Sequence, residues 1–330
     1  MAEHQLIKKI EYFIGRHQLI SAGQTIIVGL SGGPDSVFLL YALHHLKTKY
    51  GIKLIAAHLD HGWRKTSAHD VTFCKALCEK MDVTFISAQA SEFGDIKKNG
   101  SQEDYGRQLR RAFFQSVAQS LQKESSDKPC IALAHHQDDQ IETFFIRLIR
   151  GAGIRGLAGM KPQQDNYIRP LLCVSKAEVL AYCGEHKIAY LIDETNIQNT
   201  YLRNRIRLSV VPALVASDKR FVASCLKSIE RLSEADDFIE ALTVQTVNEL
   251  TCGTAQNSAA LDLKKFKQLH SFMQRRVLMS WLIQQRVAFV PTAAFIDELM
   301  RFLMSNRGGK HRVHEGWSLA KKQQLAWIER

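Results

Sequence analysis

The first half of the chain alternates short apolar runs with longer stretches in which apolar residues recur at helical spacing. Four runs have the length of a β-strand: TIIVGL from Thr25, KLIAAHL from Lys53, VTFISA from Val83 and CIALAH from Cys130. Helical stretches separate them, at 36–46, 67–80 and 102–121. Parallel strands need a helical crossover, which is right-handed, so this alternation predicts βαβ units. We therefore expect an α/β fold with a parallel, doubly wound sheet covered on both faces, and NYIRPLL from Asn166 as its fifth strand.

Beyond residue 172 the pattern changes to helices and a polar connector. Ser175 begins a predicted helix, and Glu178 completes a capping box there. The connector DETNIQNTYLRNRIR spans 193–207. Three helical stretches follow, at 221–250, 263–287 and 292–305, and short alternating runs close the chain. We predict two domains: an α/β domain with the connector over 1–212, and a mainly helical C-terminal domain over 213–330.

Composition narrows the class of protein. No apolar run approaches the roughly 20 residues that span a bilayer, and the charged start lacks the apolar core of a secretion signal. Among the seven cysteines only Cys74 and Cys78 lie close together, and their spacing is not that of a metal finger. Reduced, buried thiols are therefore expected. These features favour a cytoplasmic protein with no membrane partner.

The net charge of +11 at pH 7 suits a polyanionic partner, usually a nucleic acid. Basic residues recur in the connector and beyond it: Arg203, Arg205, Arg207, Lys264, Lys265, Lys267, Arg275, Arg276, Lys310, His311 and Arg312. For the clusters after the connector, a solvated helix face is an equal alternative to contact with phosphates.

The turn SGGPDS after the first strand, which begins at Ser31, has the features of a phosphate-binding loop. A strand that turns directly into a helix directs free backbone N–H groups at one point. Gly32 and Gly33 allow a ligand to approach the backbone closely, and Pro34 suits the first helical position. Ser36 and the first serine add hydroxyl donors. The turn matches neither the GxxxxGK[ST] of the common P-loop nor GxGxxG.

Asp35 is the unexpected member of this turn. A carboxylate repels phosphates unless a divalent cation such as Mg²⁺ lies between them. The alternative is that Asp35 only complements the dipole of the helix that it opens, which contributes about 0.3–1 kcal/mol.

A second polar cluster follows the predicted fourth strand in AHHQDDQIE. His135 and His136 end the strand, and Asp138, Asp139 and Glu142 lie near one face of the next helix. The carboxyl ends of parallel strands form the ligand crevice of such sheets, where acids can hold Mg²⁺ or a substrate ammonium. The alternative is three solvated acids favoured by the helix dipole. Neighbouring histidines at a strand end point to opposite faces, so they are not expected to share a metal.

SGGxDS after a first strand resembles the loop of the N-type ATP pyrophosphatases, which have an adenine nucleotide alpha hydrolase-like fold. Further stretches resemble the tRNA(Ile)-lysidine synthetases of this superfamily and occur in the same order: HLDHGWR, QEDYGRQLRRAFF, RGAGIRGLAGM, RPLL, DETN and RNRIR. The resemblance covers the chain from about Thr25 to Pro212, and fewer residues match the family beyond Pro212.

This resemblance implies a ligase that uses ATP and Mg²⁺. Such enzymes adenylate O2 of the wobble cytidine in the CAU anticodon of tRNA(Ile) and release pyrophosphate. The amine of free L-lysine then displaces AMP, and lysidine results. Family members are often dimers, so a homodimer is possible. Some carry a further C-terminal domain, which we expect to be absent from a chain that ends at Arg330.

The resemblance also assigns roles to individual residues. ATP would be bound by the phosphate loop: Ser31, Gly32, Gly33, Pro34, Asp35 and Ser36. The catalytic positions are Asp35, which would also hold Mg²⁺, together with Arg110, Asp139, Glu142 and Arg207. Lysine would be bound by Asp139 and Glu142. The tRNA would be contacted by Arg107, Arg203, Asn204 and Arg207.

The sequence also departs from the family pattern. Asp104, Tyr105 and Gly106 stand where small residues are usual, Arg111 where tyrosine is usual, and Gln198 where aspartate is usual. These departures leave the phosphate loop and the acids intact but affect the expected placement of the arginines and the connector.

Three other functions fit parts of the pattern. A tRNA thiolase would need a sulfur-carrying cysteine or an iron–sulfur cluster, and no cysteine pair occurs near HLDHGWR or after residue 151. A ligase acting on a small metabolite would not need the positive charge. A nucleotide-binding protein without catalysis would leave the acids and arginines without a role.

Overall fold

The computed structural model describes residues 5–63, 67–94, 96, 102–124, 128–192, 202–254, 257–287 and 292–330. The helices are α1 (Gln5–Arg16), α2 (Pro34–Tyr50), α3 (Ser67–Lys80), α4 (Gln102–Glu124), α5 (Gln137–Ile149), α6 (Ile154–Leu157), α7 (Lys176–Glu185), α8 (Leu202–Arg205), α9 (Val211–Ser217), α10 (Phe221–Leu250), α11 (Leu263–Phe266), α12 (Ser271–Gln284) and α13 (Ala293–Met304). The strands are β1 (Thr25–Gly29), β2 (Lys53–Asp60), β3 (Thr84–Gln89), β4 (Cys130–Ala132), β5 (Gln163–Gln164), β6 (Tyr167–Ile168), β7 (Thr251–Thr254), β8 (Asn257–Asp262), β9 (Gly309–His314), β10 (Trp317–Lys322) and β11 (Leu325–Glu329).

The chain divides into two compact units, Met1–Ser233 and Glu234–Arg330, with the division inside α10. The domain ranges expected from the sequence, 1–212 and 213–330, remain a prediction. Among the described helices, none is both long and apolar enough to cross a bilayer.

The first unit is built on a six-stranded sheet with the strand order β3-β2-β1-β4-β6-β5. Neighbouring strands pair in parallel except β5, which forms an antiparallel hairpin with β6. At the centre, Ile27 pairs with Ile55 of β2 and with Ile131 of β4. The predicted α/β fold with a parallel, doubly wound sheet is confirmed.

Helices cover both faces of this sheet. Successive side chains of a strand point to opposite faces. Ile26 and Val28 accordingly join one core cluster with α1, α2, α3 and α7, whereas Ile27 joins another with Phe113 and Phe114 of α4. This two-sided burial is why β1 is a continuous apolar run rather than an alternating one.

Local signals set most of the element boundaries. α3 and α10 have the predicted bounds, and α7 begins after Ser175, whose N–H donates to Glu178 Oε2 at 2.7 Å in the predicted capping box. The predicted fifth strand is short, because a 3-10 turn begins at Pro170, directly after β6 and Arg169. The prediction of one helix over 263–287 was wrong: α11 and α12 are separate, each with its own N-terminal cap.

The second unit combines helices with a five-stranded sheet of order β7-β8-β11-β10-β9, in which neighbours pair in antiparallel fashion. Its core contains Trp281 of α12, which is fully buried and donates from Nε1 to Ala259 O at 3.2 Å. The separate, mainly helical C-terminal domain is confirmed, and the short alternating runs at its end form β9, β10 and β11.

Candidate active site

A glycine-rich turn joins β1 to α2 at the carboxyl edge of the sheet. Gly32 has a φ of +84°, and a Cβ on it would lie 2.7 Å from Leu191 Cδ1. The N–H of Leu191 also donates to Gly32 O at 2.9 Å. Glycine is the residue that tolerates both this backbone conformation and this close contact. Gly33 is the N-cap of α2, and Pro34 occupies its first position, as predicted for a strand that turns directly into a helix.

The two serines of the turn have different roles. Ser36 is buried, and its Oγ accepts from Ser31 N at 3.1 Å and donates to Gly33 O at 3.0 Å. Ser31 is exposed, and its Oγ lies 3.0 Å from Ser36 Oγ. Hydrogen bonds within the turn therefore set its shape before any ligand binds, and Ser31 remains accessible.

Asp35, at the start of α2, is paired with Lys176 at the start of α7. Lys176 Nζ donates to Asp35 Oδ1 and to Oδ2, both at 2.6 Å. The side chain of Asp35 is 27% exposed and that of Lys176 is 33% exposed. The carboxylate in the phosphate loop is thus neutralised by a lysine 141 residues away along the chain.

The three acids at the start of α5 are hydrogen-bonded to residues from later in the chain. Asp138 Oδ2 accepts from the backbone N–H of Lys176 at 2.8 Å. Asp139 and Glu142 are only 9% and 2% exposed. Arg203 donates to Asp139 Oδ1 and to Glu142 Oε2, each at 2.7 Å, and Arg207 donates to Glu142 Oε1 at 2.6 Å. The alternative of three solvated acids is therefore excluded for Asp139 and Glu142.

Two adjacent histidines after β4 have pKa values that are shifted in opposite directions. His136 is buried, with Nδ1 3.3 Å from Asp138 Oδ2 and Nε2 3.5 Å from Asp139 Oδ2 and 3.9 Å from Asp35 Oδ2. Burial lowers its pKa, but these carboxylates outweigh burial and raise the pKa above the usual value. Burial lowers the pKa of His135 to about 4, which holds that ring neutral. The pKa of one ring is thus raised and that of its neighbour is lowered.

The departures from the family pattern on α4 include one with a clear packing reason. A Cβ on Gly106 would lie 2.8 Å from Trp63 Cη2, so the absence of a side chain lets the indole lie against α4. His61 stacks on the same indole with ring centroids 4.6 Å apart. The carbonyl oxygen of Gly106 accepts from Arg110 Nε at 3.3 Å, which directs this predicted catalytic arginine along the helix.

The segment between α5 and β6, residues 150–166, is held by two arginine side chains that the sequence analysis did not identify as important. Arg147 Nη1 donates to Gly156 O at 2.7 Å and to Gly159 O at 2.9 Å. Arg169 Nη1 donates to Lys161 O at 2.8 Å. Arg147 therefore holds the RGAGIRGLAGM stretch through two main-chain carbonyls, and Arg169 holds the carbonyl of the residue that follows it.

Two family models match the chain. The model of the PP-loop domain matches residues 2–214, which is more than half of the chain. The chain belongs to the PP-loop family. The model of the TilS substrate binding domain matches residues 261–327.

Curated relatives of this PP-loop chain are tRNA(Ile)-lysidine synthases. The chain is 33% identical over 317 residues to that of Bacillus subtilis (strain 168) and 34% identical over 310 residues to that of Geobacillus kaustophilus (strain HTA426). These alignments cover 93% and 92% of this chain, and 65% of each relative. The chain therefore spans just under two thirds of the length of these relatives.

The PP-loop fold also appears in a solved structure, the U34-tRNA thiolase NcsA from Methanococcus maripaludis with its [4Fe-4S] cluster. The TM-score is 0.56 at 18% identity, over 70% of this chain and 80% of the thiolase chain. At this identity the likeness shows the fold alone. It agrees with the predicted adenine nucleotide alpha hydrolase-like sheet.

The predicted site residues fall into two groups in this PP-loop structure. The phosphate loop and the acidic cluster with its arginines meet around His136. Arg107 and Arg110 lie on α4, and Asn204 lies on α8 beside Arg203. Burial, with contributions from the charges of Arg107 and Arg147, lowers the pKa of Arg169. Gln198 lies outside the described residues.

Sequence reasoning missed Lys176 as a site residue. The capping box at Ser175 predicts where α7 begins, and therefore that Lys176 occupies its first turn. No sequence pattern relates that turn to Asp35.

Proposed function

We propose that this PP-loop chain is an ATP-dependent ligase that joins free L-lysine to C2 of the wobble cytidine in the CAU anticodon of tRNA(Ile). The cytidine O2 attacks the α-phosphorus of ATP, and pyrophosphate leaves. The lysine amine then attacks C2, AMP leaves with the oxygen, and lysidine forms. The similarity to curated tRNA(Ile)-lysidine synthases over more than nine tenths of the chain supports this reaction.

One geometric observation carries the proposal: the His136 imidazole lies between the phosphate loop and the acidic cluster. Its Nε2 is 3.9 Å from Asp35 Oδ2 and 3.5 Å from Asp139 Oδ2. β1 and β4 are neighbours in the sheet, so the turns that follow them open into one crevice. A nucleotide in the loop and an amine at the acids would therefore meet there.

Asp35 fits the role of a magnesium ligand at the phosphate loop. Among the residues that the structure describes, no group of three His, Cys, Asp or Glu side chains is placed to hold a metal ion. Mg²⁺ at nucleotide sites commonly takes one or two carboxylates and completes its octahedron with phosphate oxygens and waters. Asp35 is partly exposed and supplies such a carboxylate. When bound, Mg²⁺ neutralises charge on the phosphates.

The remaining site residues suit the other substrates of the proposed reaction. Asp139 and Glu142 supply carboxylates for the lysine ammonium. Arg110 and Arg207 supply positive charge for the adenylate or the reacting base. Arg107, Arg203 and Asn204 supply donors for tRNA, and the basic C-terminal unit would add phosphate contacts. A homodimer, which the family resemblance makes possible, remains a prediction.

The cysteines weigh against the alternative of a thiolase. Cys74 lies beside the phosphate loop, with Sγ 3.4 Å from the position of a Cβ on Gly32. Burial raises the pKa of Cys74 to about 12 and that of Cys183 to about 11. Thiols held protonated in this way are poor sulfur nucleophiles.

The test is transfer of labelled lysine into tRNA. The protein is incubated with Mg–ATP, labelled lysine and a tRNA with a CAU anticodon, and label in tRNA and released pyrophosphate are measured. Both are expected, and Asp35→Ala should abolish both. Asp218→Asn changes an exposed aspartate that binds Arg220, and it serves as the matched control. Incorporation into an unrelated tRNA, or full activity of Asp35→Ala, would contradict the proposal.

A further inference from the structure

Trp63 lies shortly after β2, at the edge of the sheet where the phosphate loop begins. β2 pairs with β1, and Leu30, which precedes the loop, donates its N–H to Ala57 O at 2.9 Å. His58 Nδ1 lies 2.9 Å from Leu30 O, so the end of β2 is tied to the start of the loop. Trp63 is nevertheless 47% exposed. A large aromatic side chain exposed beside a ligand crevice is a candidate for contact with a ligand.

The indole of Trp63 is held in a fixed orientation by its neighbours. His61 stacks on it, with the ring planes 28° apart. A Cβ on Gly106 of α4 would lie 2.8 Å from Cη2 and 3.4 Å from Cζ3, so the outer edge of the indole lies against the helix. The turn that leads to it is closed by Asp60, whose Oδ1 accepts from Gly62 N at 2.8 Å. One ring face and one edge are thus covered, and the exposed area lies on the rest of the indole.

We propose that Trp63 is a stacking platform for an unpaired base of the tRNA anticodon loop. This inference rests on the proposed use of tRNA as a substrate. Bases of single-stranded RNA loops are bound by stacking on aromatic side chains, and every base has a π face that an indole can contact. His61, on the covered face of the indole, continues such a stack. A ring that is already held in place loses little freedom when it binds a base.

Arginines on α4 favour RNA over a purely apolar ligand at this position. Arg107 follows Gly106 directly, and both Arg107 and Arg110 are exposed. Arg110 donates from Nε to Gly106 O at 3.3 Å, on the residue that the indole contacts. Sites for single-stranded nucleic acid combine an aromatic surface for the bases with cations for the backbone phosphates. Trp63 and these two arginines supply both.

Two other roles for Trp63 lead to different expectations. A ring that only anchors its turn to α4 would be replaceable by leucine, because apolar contact with Gly106 needs no π face. A ring that stacks on the adenine of ATP would respond to ATP without RNA. A ring that stacks on an anticodon base responds to the RNA loop without ATP.

Tryptophan fluorescence of the full chain separates these roles. The other three tryptophans, Trp281, Trp317 and Trp327, lie in the second unit, so the difference between the wild type and Trp63→Phe reports on Trp63. The chain is titrated with an anticodon stem–loop RNA that carries CAU, with a fully paired duplex of the same stem, and with Mg–ATP. The stem–loop is expected to quench the Trp63 signal, whereas the duplex and Mg–ATP should leave it unchanged.

The affinity for the stem–loop is measured by the fluorescence anisotropy of labelled RNA. Trp63→Leu is expected to weaken binding by about 5- to 100-fold, as for the loss of one base stack, and Trp63→Phe should retain most of the affinity. Tyr12→Leu changes an aromatic side chain on α1 that is 72% exposed, and this control should bind like wild type. Trp63→Met keeps a long apolar chain against α4 and replaces the leucine variant if that variant does not fold.

An unchanged Trp63 signal with the stem–loop, a response to Mg–ATP in its place, or equal affinities of Trp63→Leu and Trp63→Phe would overturn the role of Trp63. Lysine transfer to tRNA by the wild type is measured in parallel. Its absence contradicts the proposed ligase, whereas intact transfer with normal stem–loop binding by Trp63→Leu contradicts only this inference.

Discussion

The guanidinium of Arg203 lies between the carboxylates of Asp139 and Glu142. It donates from Nη2 to Asp139 Oδ1 and from Nε to Glu142 Oε2, both at 2.7 Å. Arg207 adds a second guanidinium on Glu142, from Nε to Oε1 at 2.6 Å. The acids proposed for the substrate lysine are thus neutralised by arginines of the same chain. An incoming ammonium has to compete with these arginines.

Truncation of Arg203 is expected to strengthen the binding of lysine to the protein without tRNA. In Arg203→Ala one competing cation is gone, so the affinity for free lysine should rise about 10-fold, the value of one charged hydrogen bond. Calorimetric titration with lysine measures this. Arg205→Ala changes an exposed arginine of the same helix and should behave like wild type. Unchanged or weaker lysine binding by Arg203→Ala would show that Arg203 does not compete with lysine for Asp139 and Glu142.

Loss of Glu142 is expected to destabilise the first unit strongly. Glu142 is 2% exposed, and its removal leaves the Arg207 guanidinium without its carboxylate. Glu142→Ala should lower the free energy of unfolding by about 2–3 kcal/mol, less than for a fully buried pair because the Arg207 side chain is 39% exposed. Urea unfolding provides the measurement. Glu230→Gln, at an exposed pair with Arg16, should cost less than about 1 kcal/mol, and equal costs for the two variants would refute the distinction.

His135 should make the protein lose stability in mild acid. Burial lowers its pKa from 6.5 to about 4, opposed by Asp139 and reinforced by Arg169, Arg203 and Arg107. Between pH 6.5 and about 4, His135 therefore binds a proton in the unfolded chain but not in the folded protein. The contribution of neutral His135 to the free energy of unfolding is fully present above pH 6.5 and is lost as the pH falls toward about 4.

His135→Gln removes this difference in proton binding. Between pH 7 and 4.5 the wild type should lose on the order of 2 kcal/mol more unfolding free energy than the variant. Chemical denaturation at a series of pH values gives both curves. Parallel curves would mean that His135 titrates normally in the folded protein.

His136 should respond in the opposite direction. Burial lowers the pKa of His136. Asp138, Asp139 and Asp35 raise it by more than burial lowers it, so the net pKa lies above 6.5. The stabilisation is complete below pH 6.5 and is lost as the pH rises through the raised value. The stability advantage of the wild type over His136→Gln should therefore shrink between pH 6 and pH 9, as measured by unfolding. A constant advantage across this range would contradict a protonated ring.

The two glycines of the phosphate loop should tolerate alanine differently. Gly32 has a φ of +84° and a Cβ there would meet Leu191, so Gly32→Ala is expected to cost about 1–3 kcal/mol of stability and most of the ATP affinity. Gly33 has a φ of −71°, and a Cβ on it would lie 3.6 Å from Ser31 Oγ, which is ordinary contact. Gly33→Ala is therefore the matched control for unfolding. Equal effects of the two substitutions would argue against the strain at Gly32.

The sequence by itself determined the architecture of the first unit and the shape of the phosphate loop. Strand-length runs such as the one at Ile27 and the helical spacing between them are local patterns, and right-handed crossovers leave few ways to assemble them. Gly32, Pro34 and the capping box at Ser175 act over a few residues, so their effects were also predictable. The second sheet was less visible, because its strands are partly exposed and do not form continuous apolar runs.

Only the tertiary structure decided which charges meet. Asp35 and Lys176 are 141 residues apart, and Glu142 and Arg207 are 65 apart, so no local pattern pairs them. The same holds for the opposite pKa shifts of His135 and His136. Their protonation depends on burial and on carboxylates and guanidiniums from other helices, because desolvation and charge act through space rather than along the chain.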